Sequence, residues 1–439
     1  MTASYLSGRL APVPDEIDAL DLPVEGTLPP ELTGRYFRNG PNPRPGEEPG
    51  HWFVGHGMIH GIRLREGRAE WYRNRWVRTT RLDGAPYLGD KGVDLAAVPA
   101  NTHVVSHADK IFALVENGLP YEMTPELDTV GPCDFGGRLA TAMTAHPKED
   151  PVTGELHFFG YGWAPPYLTY HRLSAAGELV ETREVEVPGP TMAHDFAITA
   201  NHVVWLDLPV VFDVNLVGRS MPYRWDDLYG ARLGVMSRRT GQVRWFEIDP
   251  CYVFHVGNAS EDEQGRIVVD AVRYAPGAFQ AFWPTIGGTA SPAAHTGGAA
   301  LHRWVLDPAT GVSKDEALDD RDVEFPTVNE TLTGLRSRYL YAVTKDAIVK
   351  YDTGAGTSVA HETGDRTPGE AVFVPAATDG AGGTGGSGDE DAGWLLSIAG
   401  TDDGAELLVL DASDLSQVAS VRLPRRVPAG FHGSWIPDA

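Results

Sequence analysis

An apolar strand, a short turn of Asp, Ser, Thr or Gly, and a second strand recur seven times along the 439-residue chain. The unit reads HGIRLREGRAEWYRNRWV around Arg65, YEMTPELDTVG around Thr124 and HRLSAAGELVETREVEV around Ser174. It returns as LGVMSRRTGQVRWFEI at Ser237, LHRWVLDPATGVSKD at Asp307, IVKYDTGAGTSVAHE at Asp352 and ELLVLDASDLSQVASVRL at Asp411. Turn chemistry and alternation make each a β-hairpin. The period, about 58 residues on average, exceeds a minimal propeller blade and leaves room for long loops. Radial repetition of four-stranded blades is one way a β-fold limits unpaired edges. The expectation is an all-β, seven-bladed propeller, read as one domain over 1–439, with a cap of loops and short helices over one face. A pair of irregular β-sandwiches is the competing architecture.

Composition agrees with many turns and a large core: 50 glycines, 33 prolines and 42% hydrophobic residues. A net charge of −24 argues against nucleic acid as a partner, since phosphate neutralisation needs a basic surface. Two cysteines, Cys133 and Cys251, exclude a disulfide scaffold. They fit a reducing compartment, and with no signal pattern at the N-terminus the expected location is cytoplasmic. Residues 1–27 read as an N-terminal extension and 378–393 as a flexible Gly/Asp-rich loop. Residues 274–299 read as a long connection over one face rather than a strand.

Fifteen histidines are present, and most single histidines are structural or exposed. Four share a phase: His146, His194, His255 and His432 fall 22, 20, 18 and 21 residues after a hairpin turn. In a propeller this position is the start of the next blade's innermost strand. The four should therefore converge on the axis, where neutral imidazoles make a metal site. Glu324 and Glu370 occupy the same phase, 17 and 18 residues after their turns. They either ligate the metal or stand behind it, accepting Nδ1–H from histidines that bind through Nε2. His51, His56 and His60 in HWFVGHGMIHG are out of phase and read as turn histidines facing solvent.

At these residues the chain resembles the carotenoid cleavage oxygenase family, which includes apocarotenoid oxygenases, stilbene-cleaving dioxygenases and a retinoid isomerohydrolase. The matching stretches run from about Leu28 to the C-terminus: ELTGRYFRNGPNP, GMIHG, ANTHVV, ALVENGLPYE, TAHPK, MAHDF, FHVGNASED, VEFPTVNE, GEAVFVP and GFHGSW. The resemblance implies a seven-bladed propeller holding one iron(II) by His146, His194, His255 and His432. It adds Glu116 in ALVEN to Glu324 and Glu370 as carboxylates behind the ligands, pairing Glu116 with His194, Glu324 with His255 and Glu370 with His432. It also places Thr102 near a vacant coordination position. Two positions depart from the family pattern: His56 replaces an aspartate in GHGM, and Ala371 stands where proline is frequent.

The implied activity is addition of O2 across one double bond of a carotenoid or apocarotenoid to give two carbonyl products. No nicotinamide or flavin fingerprint is visible. Phenol-cleaving relatives commonly carry Lys just before the glutamate corresponding to Glu116. Val115 stands there, which favours an apolar polyene over a phenolic stilbene or phenylpropene. Isomerohydrolase chemistry and a non-catalytic ligand-binding propeller are the remaining readings. An apolar substrate comes from a membrane or carrier, and VVWLDLPVVFDVNLV, residues 203–217, is the candidate stretch for an apolar entrance or peripheral membrane contact.

Overall fold

The computed structural model describes residues 4–90, 92–286, 298–376 and 389–438. Most of the strands among them lie in seven sheets of four or more antiparallel strands. Each of the seven sequence turns closes a hairpin in a different sheet, so the seven-bladed propeller expected from the repeats is the fold. Every one of these turns carries a residue at positive φ. It is Gly67, Gly177, Gly241, Gly311 and Gly356 in five of them, and Leu127 and Leu415 in the other two. At the first turn Glu66 and Gly67 are both left-handed, the geometry that matches strand twist in a tight hairpin.

The innermost strands, in blade order, are Gly433–Pro437, His103–His107, Lys148–Glu149, Ala197–Ile198, Tyr252–Glu261 and Glu324–Thr327; in the seventh blade Thr367–Pro368 and Val372–Pro375 share the place. Inner strands of adjacent blades touch: Gly433–Pro437 meets His103–His107 and Val372–Pro375, and Tyr252–Glu261 meets Ala197–Ile198 and Glu324–Thr327. Apolar side chains fill the gaps between blades. Tyr36, Ile62, Leu396 and Val409 pack in one such seam between the first and seventh blades. Burial of this kind, about 25 cal/mol per Å2 of apolar surface, is what holds neighbouring blades together.

The ends of the chain close the ring twice. The C-terminal strand Gly433–Pro437 pairs with Gly34–Pro41 as the inner strand of the first blade. Near the N-terminus, Asp18–Leu20 adds to the outer edge of that blade and Val24–Gly26 to the outer edge of the seventh. The segment set apart as an extension is thus partly woven into two blades. Within 274–299, read as a connection rather than a strand, Pro276–Ile286 is an α-helix with Pro284 inside it. Its Gly and Pro content hid it, because proline near a helix end removes few intrahelical bonds. Most of the loop expected at 378–393 lies outside the described residues, and Gly393 already begins the strand Gly393–Gly400.

Candidate metal centre and cavity

His255 lies within an inner strand, and His146, His194 and His432 lie one to three residues before one, which brings the four together. His255 sits where the strand Tyr252–Glu261 slips register between Val253 and Val256. His432 immediately precedes the closing strand, and its backbone is pinned on both sides. Its N–H donates to the Thr102 carbonyl at 3.2 Å, and its carbonyl accepts from Asn39 N–H at 3.0 Å. The ring centroids of His146 lie 4.6, 5.2 and 4.6 Å from those of His194, His255 and His432. His255 is 5.2 Å from His194 and 4.7 Å from His432.

Three of the rings are oriented from behind. Nδ1 of His194 donates to Glu116 at 2.6 Å, Nδ1 of His255 to Glu324 at 2.6 Å, and Nδ1 of His432 to Glu370 at 2.9 Å. A proton on Nδ1 leaves Nε2 as a lone-pair donor, the form in which histidine binds metal. The glutamates are held in turn. Glu324 accepts from the Tyr274 hydroxyl at 2.9 Å and from Phe325 N–H at 2.6 Å, and Glu370 from Gly433 N–H at 2.7 Å. His146 has no carboxylate partner among the described residues. Its strand is fixed by His103, which donates Nδ1–H to the Ala145 carbonyl at 2.9 Å and accepts from Ser434 Oγ at 3.1 Å.

This donor set fits a divalent metal. Nε2 of His146 and Nε2 of His194 are 3.1 Å apart. Two nitrogens bonded at about 2.1 Å to one ion at a right angle would be separated by about 3.0 Å. His146, His255 and His432 offer ring nitrogens that all lie within 4.8 Å of one another. Electrostatics disfavours the charged form of three of the four rings. Burial, reinforced by mutual repulsion, holds His146 and His432 well below the ordinary histidine value, and burial together with His194 lowers His255 to about 3. At His194 burial also opposes charge, but the Glu116 carboxylate outweighs it and raises the value. Burial pushes the Glu324 carboxyl up to about 7 and raises Glu370.

Beside the histidines lies a cavity of about 570 Å3, within the range of small-molecule sites. His194, His255 and His432 reach its wall together with Thr102, Val115 and Glu116. The rest is largely aromatic, including Phe53, Phe254, Phe325 and Phe431, and Phe282 of the helix Pro276–Ile286 contributes as well. Phe325 stacks on His255 at 5.1 Å while adopting a positive φ of 53°, an uncommon conformation for a bulky residue.

A family profile described as RPE65, retinal pigment epithelial membrane protein, matches residues 10–437. A carotenoid cleavage oxygenase of Mycobacterium tuberculosis is 40% identical over 99% of this chain and 97% of its own length. The chain belongs to the carotenoid cleavage oxygenase family. An isoeugenol monooxygenase of Pseudomonas nitroreducens is 30% identical over 98% of both chains. The crystal structure of Pseudomonas brassicacearum lignostilbene dioxygenase superposes with a TM-score of 0.87 at 28% identity, covering 99% of this chain and 98% of that one.

In this carotenoid cleavage oxygenase the structure brings His146, His194, His255 and His432 together with Glu116, Glu324 and Glu370, sets Thr102 and Val115 on the wall of the adjoining cavity, and adds several residues that sequence reasoning missed. Tyr274, Phe325 and His103 are the additions; His103 belongs to an inner strand but lies outside the phase window, because the connection following the Arg65 hairpin is long. The three remaining histidines do separate work, and the expectation that they face solvent is corrected. His51 is buried and accepts from Phe53 N–H, half-buried His56 faces Glu47 at 3.3 Å, and buried His60 bonds the Tyr72 hydroxyl at 2.8 Å.

Proposed function

We propose that this carotenoid cleavage oxygenase is a non-haem iron(II) dioxygenase. It cleaves one double bond of a carotenoid or apocarotenoid, using both atoms of O2 to make two carbonyl products. The observation that carries this is the placement of four axial imidazoles, three backed by carboxylates, at the wall of an aromatic cavity. Iron(II) held by His146, His194, His255 and His432 would supply the binding and activation of O2. The protein's part is orientation and exclusion of water. Glu116, Glu324 and Glu370 fix the ring directions, and Thr102 stands at the cavity wall beside His432. The aromatic rings bind an apolar chain without leaving a polar atom unpaired.

Val115 is buried and faces the cavity next to Glu116, so this side chain offers a phenolate oxygen no charge partner; the cations of the wall are Arg81 and Lys345. The similarity to lignostilbene dioxygenase and to isoeugenol monooxygenase keeps a phenolic stilbene or phenylpropene as the second reading. Tyr87 lines the cavity, with its hydroxyl donating to the Asn117 carbonyl at 3.1 Å, and with Tyr161 and Tyr223 it is a candidate to meet a substrate hydroxyl. Tyr121 is buried, bonds the Ala96 carbonyl and does not reach the wall. We place the protein in the cytoplasm, touching membrane through apolar residues near the cavity. Phe212 lines the cavity and stacks on exposed Trp163, and Val214 and Val217 close by are exposed. No described helix is long and apolar enough to cross a membrane.

The deciding experiment loads the metal-free chain with iron(II) anaerobically, then admits oxygen with a panel of carotenoids, apocarotenals and hydroxystilbenes. Mass analysis of aldehyde products from the polyenes supports the proposal. Turnover of a 4-hydroxystilbene with none of any polyene promotes the second reading.

A further inference from the structure

The four histidines stand between two cavities of different character. The second, about 500 Å3, is walled by the inner strands of all seven blades and so follows the propeller axis. His146, His255 and His432 open onto it, the same three whose ring nitrogens lie within 4.8 Å of one another. Its other charged groups are Lys148, Glu149, Asp195, Glu330 and Glu370. Lys148 is spoken for: its ammonium lies 2.9 Å from Asp195. Glu370 is committed to His432 and Gly433, and Glu149 bonds His107 at 2.9 Å. Glu330 is exposed and carries its charge into the channel.

The first cavity offers a hydrated divalent cation mostly ring faces and apolar side chains, with carboxylates at Asp322 and at Glu116 and Glu324, the last two already bonded to His194 and His255. The axial channel offers carboxylates along the way and imidazole nitrogens at its end. Glu330 shares the channel with Glu149 and Glu370, so three carboxylates repel one another there. A passing cation relieves that repulsion. We propose that the axial channel is the route by which the divalent metal reaches the four histidines, with Glu330 drawing the cation in at the mouth. Substrate then uses the aromatic cavity alone. This rests on the reading of the four histidines as metal ligands.

The test changes the charge at the mouth after folding. Glu330→Cys is made in a Cys133→Ser background, where Cys251 is buried. The full-length protein is stripped of metal, and the thiol is capped with a sulfonatoethyl or a trimethylammonioethyl group. Association of Co(II) is followed by its visible absorption. The cationic cap is expected to slow association about three- to tenfold relative to the anionic cap, at the low end of electrostatic steering. Final stoichiometry stays the same, and the difference shrinks as salt is raised. Glu330→Gln, uncapped, should fall between the two. Equal rates for both caps at low salt overturn the route while leaving the metal centre intact. A parent protein that takes up no Co(II) overturns the metal centre and the route together.

Discussion

Glu324 and His255 meet at 2.6 Å, and the second oxygen of the same carboxylate is occupied by Tyr274. Phe325 N–H holds the oxygen that meets the imidazole, so the carboxylate is fixed at both oxygens while it aims the ring. Glu324→Gln retains an acceptor but lowers ligand basicity, so metal affinity or turnover should fall by about 10–100-fold. Metal titration and single-turnover rates measure this. An unchanged affinity together with unchanged turnover would show that the pair is structural.

Removing a ligand should cost more than removing its partner. His255→Ala is expected to lose most bound metal and all measurable cleavage, a greater effect than the ~10–100-fold of a supporting group. His56→Ala should keep both, because His56 faces Glu47 far from the centre in chemical role. Metal content by elemental analysis separates the two; full metal in His255→Ala would sink the ligand assignment.

Substrate class turns on Val115. An unpaired phenolate beside this side chain costs about 1–3 kcal/mol. Apocarotenoids should accordingly be cleaved with a higher kcat/KM than hydroxystilbenes. Val115→Lys should move the ratio toward phenols by about 5–160-fold, the same energy expressed as a rate. A ratio that does not move would exclude this position from substrate choice.

Gly430 has no room for a methyl group. A Cβ there would lie 1.5 Å from Arg38 Nη1 and 2.9 Å from the Asn39 carbonyl. Arg38 cannot swing away cheaply, since it is buried and donates to the Pro428 carbonyl at 2.5 Å. Gly430→Ala should thus displace the loop that carries Phe431 and His432, at about 1–3 kcal/mol of overpacking. The checks are weaker metal binding and a lower Tm; wild-type values for both would mean the loop is not strained.

Stability should fall in acid. His157 is buried, donates to Tyr170 and receives Arg238 at 3.0 Å, and burial followed by Arg238 lowers it to about 3. Burial alone lowers His171 to about 4. Unfolded histidine titrates near 6.5, so below that pH the unfolded chain takes protons that the fold refuses. Their contribution is complete above about 6.5 and is lost as pH falls through about 4 for His171 and about 3 for His157. Each histidine adds a slope of about 1.4 kcal/mol per pH unit in that window. Denaturant unfolding at several pH values reads it, and His157→Asn should flatten the slope by one proton; a flat wild-type profile would refute the argument.

The blades were legible because each hairpin turn carries a punctuating residue, and the four histidines because one phase delivers them all to the axis. Glu116 was invisible to phase. It lies between the second and third strands of the second blade, Lys110–Leu114 and Tyr121–Met123, and reaches His194 two blades away. Only the family resemblance supplied it. Tyr274 and Phe325 were missed for a different reason: their roles depend on a hydroxyl direction and a left-handed backbone, neither of which leaves a mark in residue type. The helix Pro276–Ile286 was missed because local composition argued against it, while packing of Phe279 and Phe282 on Phe254 overrides that preference.

His432 occupies the junction where the ring is fastened, one residue before the strand that pairs with Gly34–Pro41. Its imidazole reaches the centre only when that seam is shut. Metal binding and seam closure are then linked equilibria: each bound ion favours the shut ring by its own affinity, and an opened seam releases the ion. Metal occupancy becomes a gauge of whether the circle is intact. Damage anywhere along the seam, even on its solvent side, should register first as a leak of metal rather than as a loss of β-structure.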